Sequence, residues 1–134
     1  MRRSPLRKRR PLSKQTILQR LHKKAWALFS EYVRRSSKGI CFSCGARKHW
    51  KELDAGHYIH GRLDYDELNI HAQCTYCNRY LHGNLGKYAE RLLARHGEAA
   101  LQELRLRANQ VKKWEVAELE GIIATYQAKI KELT

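Results

Sequence analysis

Residues 41–44 read CFSC and residues 74–78 read CTYCN; between them, residues 50–73 read WKELDAGHYIHGRLDYDELNIHAQ. The two C-x-x-C pairs, Cys41/Cys44 and Cys74/Cys77, are separated by 29 residues. Each pair suits a tight knuckle whose two thiolates point at one ion, and the glycine after Cys44 suits the turn. Together they offer a closed tetrahedral set of four sulfurs, the ligand type and geometry zinc prefers. A closed set has no open coordination position. The spacing therefore predicts one structural Zn2+ that contributes folding free energy to its section of chain. That section, residues 39–84, holds all four Cys, five of the seven His and five of the eight Gly. It lacks long periodic apolar runs, so hairpins and loops pinned by an ion are expected there.

Outward from this section the pattern is helical. From Ser13, an N-cap candidate, Ile17, Leu18, Leu21, Ala25, Leu28, Phe29 and Tyr32 recur at three- and four-residue spacing, predicting a helix over 13–36. Residues 85–134 return to helix. Tyr88, Leu92, Leu93, Leu101, Leu104 and Leu106 are expected to pack inward, and Gly97 breaks the run. Leu119, Ile122, Ile123, Tyr126, Ile130 and Leu133 form one stripe, read as plain core or as the seam of a homodimer.

The 134 residues fit one modest domain, placed at 13–134 behind an arm at 1–12. There are 27 Lys+Arg against 13 Asp+Glu, a formal net charge of +14. The charge is concentrated: residues 1–24 hold ten Lys/Arg and no acid. Residues 1–12, with Pro5 and Pro11, read as a disordered arm whose Arg7, Arg9 and Arg10 bind phosphates. Such a balance points to a polyanionic partner, nucleic acid first. No run of about 18 apolar residues is present, which excludes a transmembrane helix. The basic N-terminus is followed by no apolar stretch and cleavage site, so a reducing cytoplasm is expected, where paired Cys read as metal ligands.

The insert supplies a His, then an Asn, then an Asn at the expected start of a short helix: His57 ends a strand expected over Leu53–Ile59, Asn69 approaches Cys74, and Asn78 follows Cys77. This order resembles the HNH, or ββα-metal, nucleases, in which a four-Cys zinc often holds a hairpin and helix together. The resemblance implies a small zinc-stabilised α+β fold: a ββα-metal core flanked by an N-terminal helix and C-terminal helices. It implies that His57 is the general base, that Asn69 holds its ring, and that Asn78 is a ligand of a catalytic divalent ion, Mg2+ or Mn2+. A neutral imidazole can take a proton from water near pH 7. Many such nucleases carry Asp or His immediately before the base, where this chain has Gly56. Asp54, on the same side of a regular strand and about 7 Å from position 56, is the first substitute. His71, on the side of Asn69, and His82, four residues after Asn78, are the others.

Residues DAGHY (54–58), NIHAQCTYCN (69–78) and GN (83–84) further resemble the NinG/Rap family of lambdoid phage recombination proteins. That similarity continues to the C-terminal helix and covers roughly residues 15–134. It implies a structure-specific endonuclease that cuts branched double-stranded DNA, such as Holliday junctions and D-loops, in the cytoplasm of a bacterial host. Arg62, Arg79, Lys87 and Arg91 are then expected to line the cleft, and two matched cuts favour a two-fold dimer. Two other readings remain at this point. One is a non-catalytic zinc module that binds nucleic acid; the other is a zinc scaffold that recruits a recombinase through the C-terminal helices.

Overall fold

The computed structural model describes residues 2–6, 9–61, 64–110 and 112–133. Residues 2–6 and 9–13 are exposed and carry no regular secondary structure. The α+β chain then forms α1 (Lys14–Ser36), a two-stranded sheet, β1 (Leu53–His57) and β2 (Ile70–Cys74), a π-helical turn (Tyr76–Tyr80), and three helices: α2 (Leu85–His96), α3 (Glu98–Ala108) and α4 (Val116–Glu132).

The Ser13 hydroxyl caps α1 by accepting from the Thr16 amide at 3.2 Å. Arg34 and Arg35 in the last turn complement the helix dipole. The chain then reverses through Lys38 and Gly39, both at positive φ. A side chain at Gly39 would sit 2.2 Å from the Lys48 carbonyl, so the first knuckle closes only because position 39 has none.

The strands are antiparallel, with Leu53 opposite Cys74, Asp54 opposite Gln73, Ala55 opposite Ala72, Gly56 opposite His71 and His57 opposite Ile70. Opposite residues share a face. Leu53, Ile70, Ala72 and Cys74 are buried with Phe29 and Val33 of α1 and Tyr126 of α4. The other face presents Asp54, Gly56, His71 and Gln73 to the segment after Cys74. Two strands alone are marginal in water; here both faces are covered.

A second cluster joins Phe42, Tyr88, Leu92, Leu101 and Leu104. Leu93 and Leu106, expected inside, are 43% and 69% exposed, because each falls off the stripe its helix turns inward. The C-terminal stripe contributes to the core. Leu119, Ile123 and Tyr126 are buried, and the Tyr126 ring meets Phe29 edge-on at 4.8 Å. Ile122 and Ile130 are half-buried, and Leu133 is exposed.

His71 belongs to the second cluster and stacks on Phe42 at 3.9 Å between ring centres. The Tyr88 hydroxyl donates to the Gly56 carbonyl at 2.8 Å or the Asn69 carbonyl at 3.1 Å. It therefore accepts from His71 Nδ1 at 3.1 Å. His71 Nε2 is left as the acceptor facing His96 Nε2 at 3.4 Å. Burial first, then the neighbouring His96 and Arg95, pushes His71 down to about 3. The unfolded chain takes a proton near 6.5 that the folded protein refuses until about 3, so this residue removes stability as pH falls through that window. Replacing His71 with Gln, which does not titrate, should make urea-measured stability fall less steeply between those values. Parallel profiles for the two proteins would refute this assignment.

Candidate functional site

The ladder ends at His57, and Asn69 extends it. The Tyr58 amide donates to the Asn69 carbonyl at 2.9 Å. The Asn69 side chain then pairs with both backbone groups of Ile59, accepting from its N–H and donating to its carbonyl, each at 2.8 Å. Asn69 is fully buried, so this amide fixes the path of the chain after His57. These bonds go to the backbone of Ile59 and not to the His57 ring, which the nuclease resemblance implies as the partner of Asn69.

The ring is held by other residues. His57 Nε2 lies 3.1 Å from Asp64 Oδ1, and the ring stacks on Trp26 of α1 at 5.0 Å between centres. An ionised carboxylate only accepts, so Nε2 carries the proton and Nδ1 keeps the lone pair. Sequence reasoning missed both partners. Asp64 sits in the insert with nothing to mark it, and Trp26 lies 31 positions before His57 on what reads as a helix face.

On the other sheet face, Asp54 and Asn78 meet: Asn78 Nδ2 donates to Asp54 Oδ2 at 3.1 Å. Asp54 also receives Arg79 through Nε at 3.1 Å and Nη2 at 3.0 Å. The turn bearing Asn78 and Arg79 starts at the second knuckle, where the Cys77 amide donates to Cys74 Sγ at 3.4 Å. Of the three candidates to replace a side chain at Gly56, the structure brings only Asp54 to Asn78. His71 is engaged by Tyr88 and His96 as described. His82 is exposed at φ 50 after the helical turn ends at Tyr80, so it does not share a helix face with Asn78.

Gln73, also missed, is fully buried beneath this pair. Its Nε2 donates to Ser43 Oγ at 2.7 Å and to the Gly83 carbonyl at 2.8 Å, tying the first knuckle to the segment after the second. Its Oε1 is buried with no hydrogen-bond partner among the described residues. A carboxylate and two amide oxygens are the donor types a hard divalent cation takes, so the residues present fit such an ion.

The four sulfurs converge. Cys41, Cys44, Cys74 and Cys77 place their Sγ atoms within 4.8 Å of one another, and all four thiols are free. Cys44 Sγ and Cys74 Sγ are 3.8 Å apart, too far for a disulfide of about 2.05 Å. It equals the edge of about 3.8 Å that a tetrahedron with Zn–S of about 2.3 Å requires. Burial pushes the Cys77 thiol up to about 12. At Cys41 burial acts in the same direction, but the Cys44, Cys74 and Ser43 amides overcome it and bring the thiol down to about 7. The cluster is a candidate metal site, consistent with structural zinc.

Of the predicted DNA contacts, Arg9 and Arg10 are exposed in the arm, and Lys87 is exposed and paired with Glu90 at 3.6 Å. Arg79 is two-thirds exposed while paired with Asp54. Arg7 and Arg62 lie outside the described residues. Among the described residues no helix is long and apolar enough to cross a membrane.

The family model described as Bacteriophage Lambda NinG protein matches residues 1–134. The chain belongs to the NinG family. Among its relatives, Protein ninG of Escherichia phage 933W is 36% identical over 116 residues, which is 83% of this chain and 57% of that protein. Protein ninG of Escherichia phage lambda is 34% identical over 116 residues, 83% of this chain and 56% of that protein. For Salmonella phage P22 the identity is 35% over the same shares. The chain thus spans little more than half the length of these NinG relatives. No solved structure gives a significant match.

Replacing Cys74 with Ser should remove bound zinc and lower the melting temperature by about 10 °C or more, as loss of several kcal/mol implies. Metal analysis and thermal unfolding of the same sample check this. A variant that has lost its ion and melts with the parent would show that the cluster does not hold the fold.

Proposed function

We propose that this NinG-family chain is a metal-dependent endonuclease of the HNH type that hydrolyses phosphodiesters in branched double-stranded DNA, including Holliday junctions and D-loops. Its setting is the cytoplasm of a phage-infected or prophage-carrying bacterium. The observation that carries the reading is that one small hairpin bears two arrangements. At the end of β1 His57 is oriented by Asp64 and Trp26, and on the opposite face, nearer the knuckles, Asn78 donates to Asp54 at 3.1 Å. The family resemblance supplies the substrate class.

In this reading the four cysteines hold structural zinc and take no part in chemistry. His57 Nδ1 accepts the proton of the attacking water, and Asp64 stabilises the imidazolium that results. Asn69 keeps the base in place by fixing Ile59. Asp54 and Asn78 would hold Mg2+ or Mn2+, which when bound supplies charge stabilisation for the phosphoryl and leaving oxygens. Binding requires Arg79 to release Asp54, whose carboxylate is 18% exposed and is held through two nitrogens, so the ion must replace a bidentate, charge-assisted pair.

One observation favours a second reading, a zinc module that binds nucleic acid without cutting it: Arg79 already satisfies both oxygens of Asp54. Purified protein on a labelled four-way junction separates the two. Cutting should require Mg2+ or Mn2+, and His57→Ala should retain junction affinity and lose at least about 100-fold in rate. Cutting that survives EDTA, or persists in His57→Ala, would falsify the one-ion mechanism.

The arm carries a separate expectation. Residues 1–12 hold six Lys/Arg. Deleting them should weaken binding to all DNA and reduce the slope of log affinity against log salt by up to about 5, roughly 0.9 for each phosphate no longer neutralised. The cut positions should not move. Displaced cuts would mean that the arm reads DNA shape.

A further inference from the structure

We infer that Gln73 is an oxygen ligand of the divalent ion, delivering its amide oxygen into the space that Gly56 leaves open. The inference rests on the divalent-ion reading above and adds a residue to it. Asp54 pairs across the ladder with Gln73, and Gly56 pairs with His71. Positions 56 and 73 are therefore diagonal neighbours on one face. A Cβ built on Gly56 would lie 1.9 Å from Gln73 Oε1 and 3.1 Å from Asn78 Oδ1. Any side chain at 56 would displace the Gln73 amide, so the empty position and the buried amide are one feature.

The amide cannot be turned round. Its nitrogen donates to Gly83, a carbonyl that only accepts, and to Ser43 Oγ. Reversing it would set oxygen against oxygen at 2.8 Å. Oε1 therefore faces the Gly56–Asn78 side, fully buried and unpartnered. A buried carbonyl oxygen without a donor is destabilising, because its lost hydration is not replaced. Here it borders the same space as Asn78 Oδ1, while Asn78 Nδ2 holds Asp54. Two amide oxygens thus border one space with no donor between them among the described residues, the arrangement that a cation entering it would satisfy. A glutamine held by two hydrogen bonds on its nitrogen is also a preorganised ligand, since no rotamer must be frozen when the ion binds.

The test uses the zinc-loaded full chain and Mn2+ as probe, with bound ion counted by electron paramagnetic resonance. The parent should bind one Mn2+, and Asp54→Asn should lose it. Gln73→Ala should weaken binding about tenfold. The double variant Gly56→Asp, Gln73→Ala places a carboxylate in the vacated space and should restore the affinity. Because Gln73 is buried and its truncation can disturb folding, the unmodified protein carries a second measurement. Small additions of Mn2+ should broaden the Gln73 side-chain amide signals together with those of Asn78. If Asp54→Asn loses Mn2+ while Gln73→Ala binds it normally, or the Gln73 signals stay sharp while those of Asn78 broaden, this inference is overturned and the divalent site stands. If the parent binds no Mn2+, or Asp54→Asn binds it as well as the parent, the divalent-ion reading itself fails.

Discussion

The antiparallel register of Leu53–His57 on Ile70–Cys74 is the constraint on which the other features depend. It sends Leu53, Ile70, Ala72 and Cys74 to the α1 side and Asp54, Gly56, His71 and Gln73 to the other. A slip of one residue would exchange the faces, driving a carboxylate, an imidazole and an amide toward Phe29 and Val33. The same register puts Cys74 at one end, among the sulfurs, and His57 at the other, at the edge of the loop. The cysteine cluster and the proposed base are thus two ends of one five-residue pairing. Asn69 closes the open end by adding side-chain bonds where backbone pairing stops.

So short a ladder does not hold a register unaided. Hydrophobic burial fixes one face through α1 and α4. The polar face is fixed differently: the Gln73 nitrogen bridges the two knuckle segments, and the Tyr88 hydroxyl reaches the Gly56 carbonyl at 2.8 Å. With zinc in the cysteine cluster, both knuckles would be anchored to the same point, and the polar face could remain open for chemistry without unravelling. That division explains how a small domain tolerates an unsatisfied buried amide next to a glycine in mid-strand, both of which weaken a sheet.

The features legible in the sequence are those that declare themselves within a few residues. Two C-x-x-C pairs, the Ser13 cap and the Gly97 break each carry a local physical signature, and the structure has them at the expected places. The site was only partly legible. Asp54 could be placed near Asn78 because strand alternation is regular. Trp26 and Asp64 could not be assigned to His57, because packing of α1 against the hairpin decides which side chains reach that ring. Gln73 looked like any polar strand residue; its significance depends on the register and on the empty position diagonal to it. His82 leaves the helix face of Asn78 because the helical turn ends at Tyr80 and the chain then passes through a positive φ. The exposed positions of Leu93 and Leu106 show the same limit, since apolar residue type does not fix which side of a stripe faces inward.

Arg79 connects the electrostatics of the whole chain to the proposed chemistry. Most of the excess positive charge lies in residues 1–24. Beside the hairpin, Arg79 and Asp54 cancel one another. A divalent cation at Asp54 would replace a guanidinium carrying one charge with an ion carrying two, and would release Arg79 toward solvent. The local potential would then rise by more than the charge of the ion's own site suggests. In this reading the arm and first helix draw DNA to the protein regardless of metal. The hairpin becomes strongly attractive to phosphate only when its ion is present, so DNA engagement at the proposed cutting centre is coupled to metal occupancy through the Arg79–Asp54 ion pair.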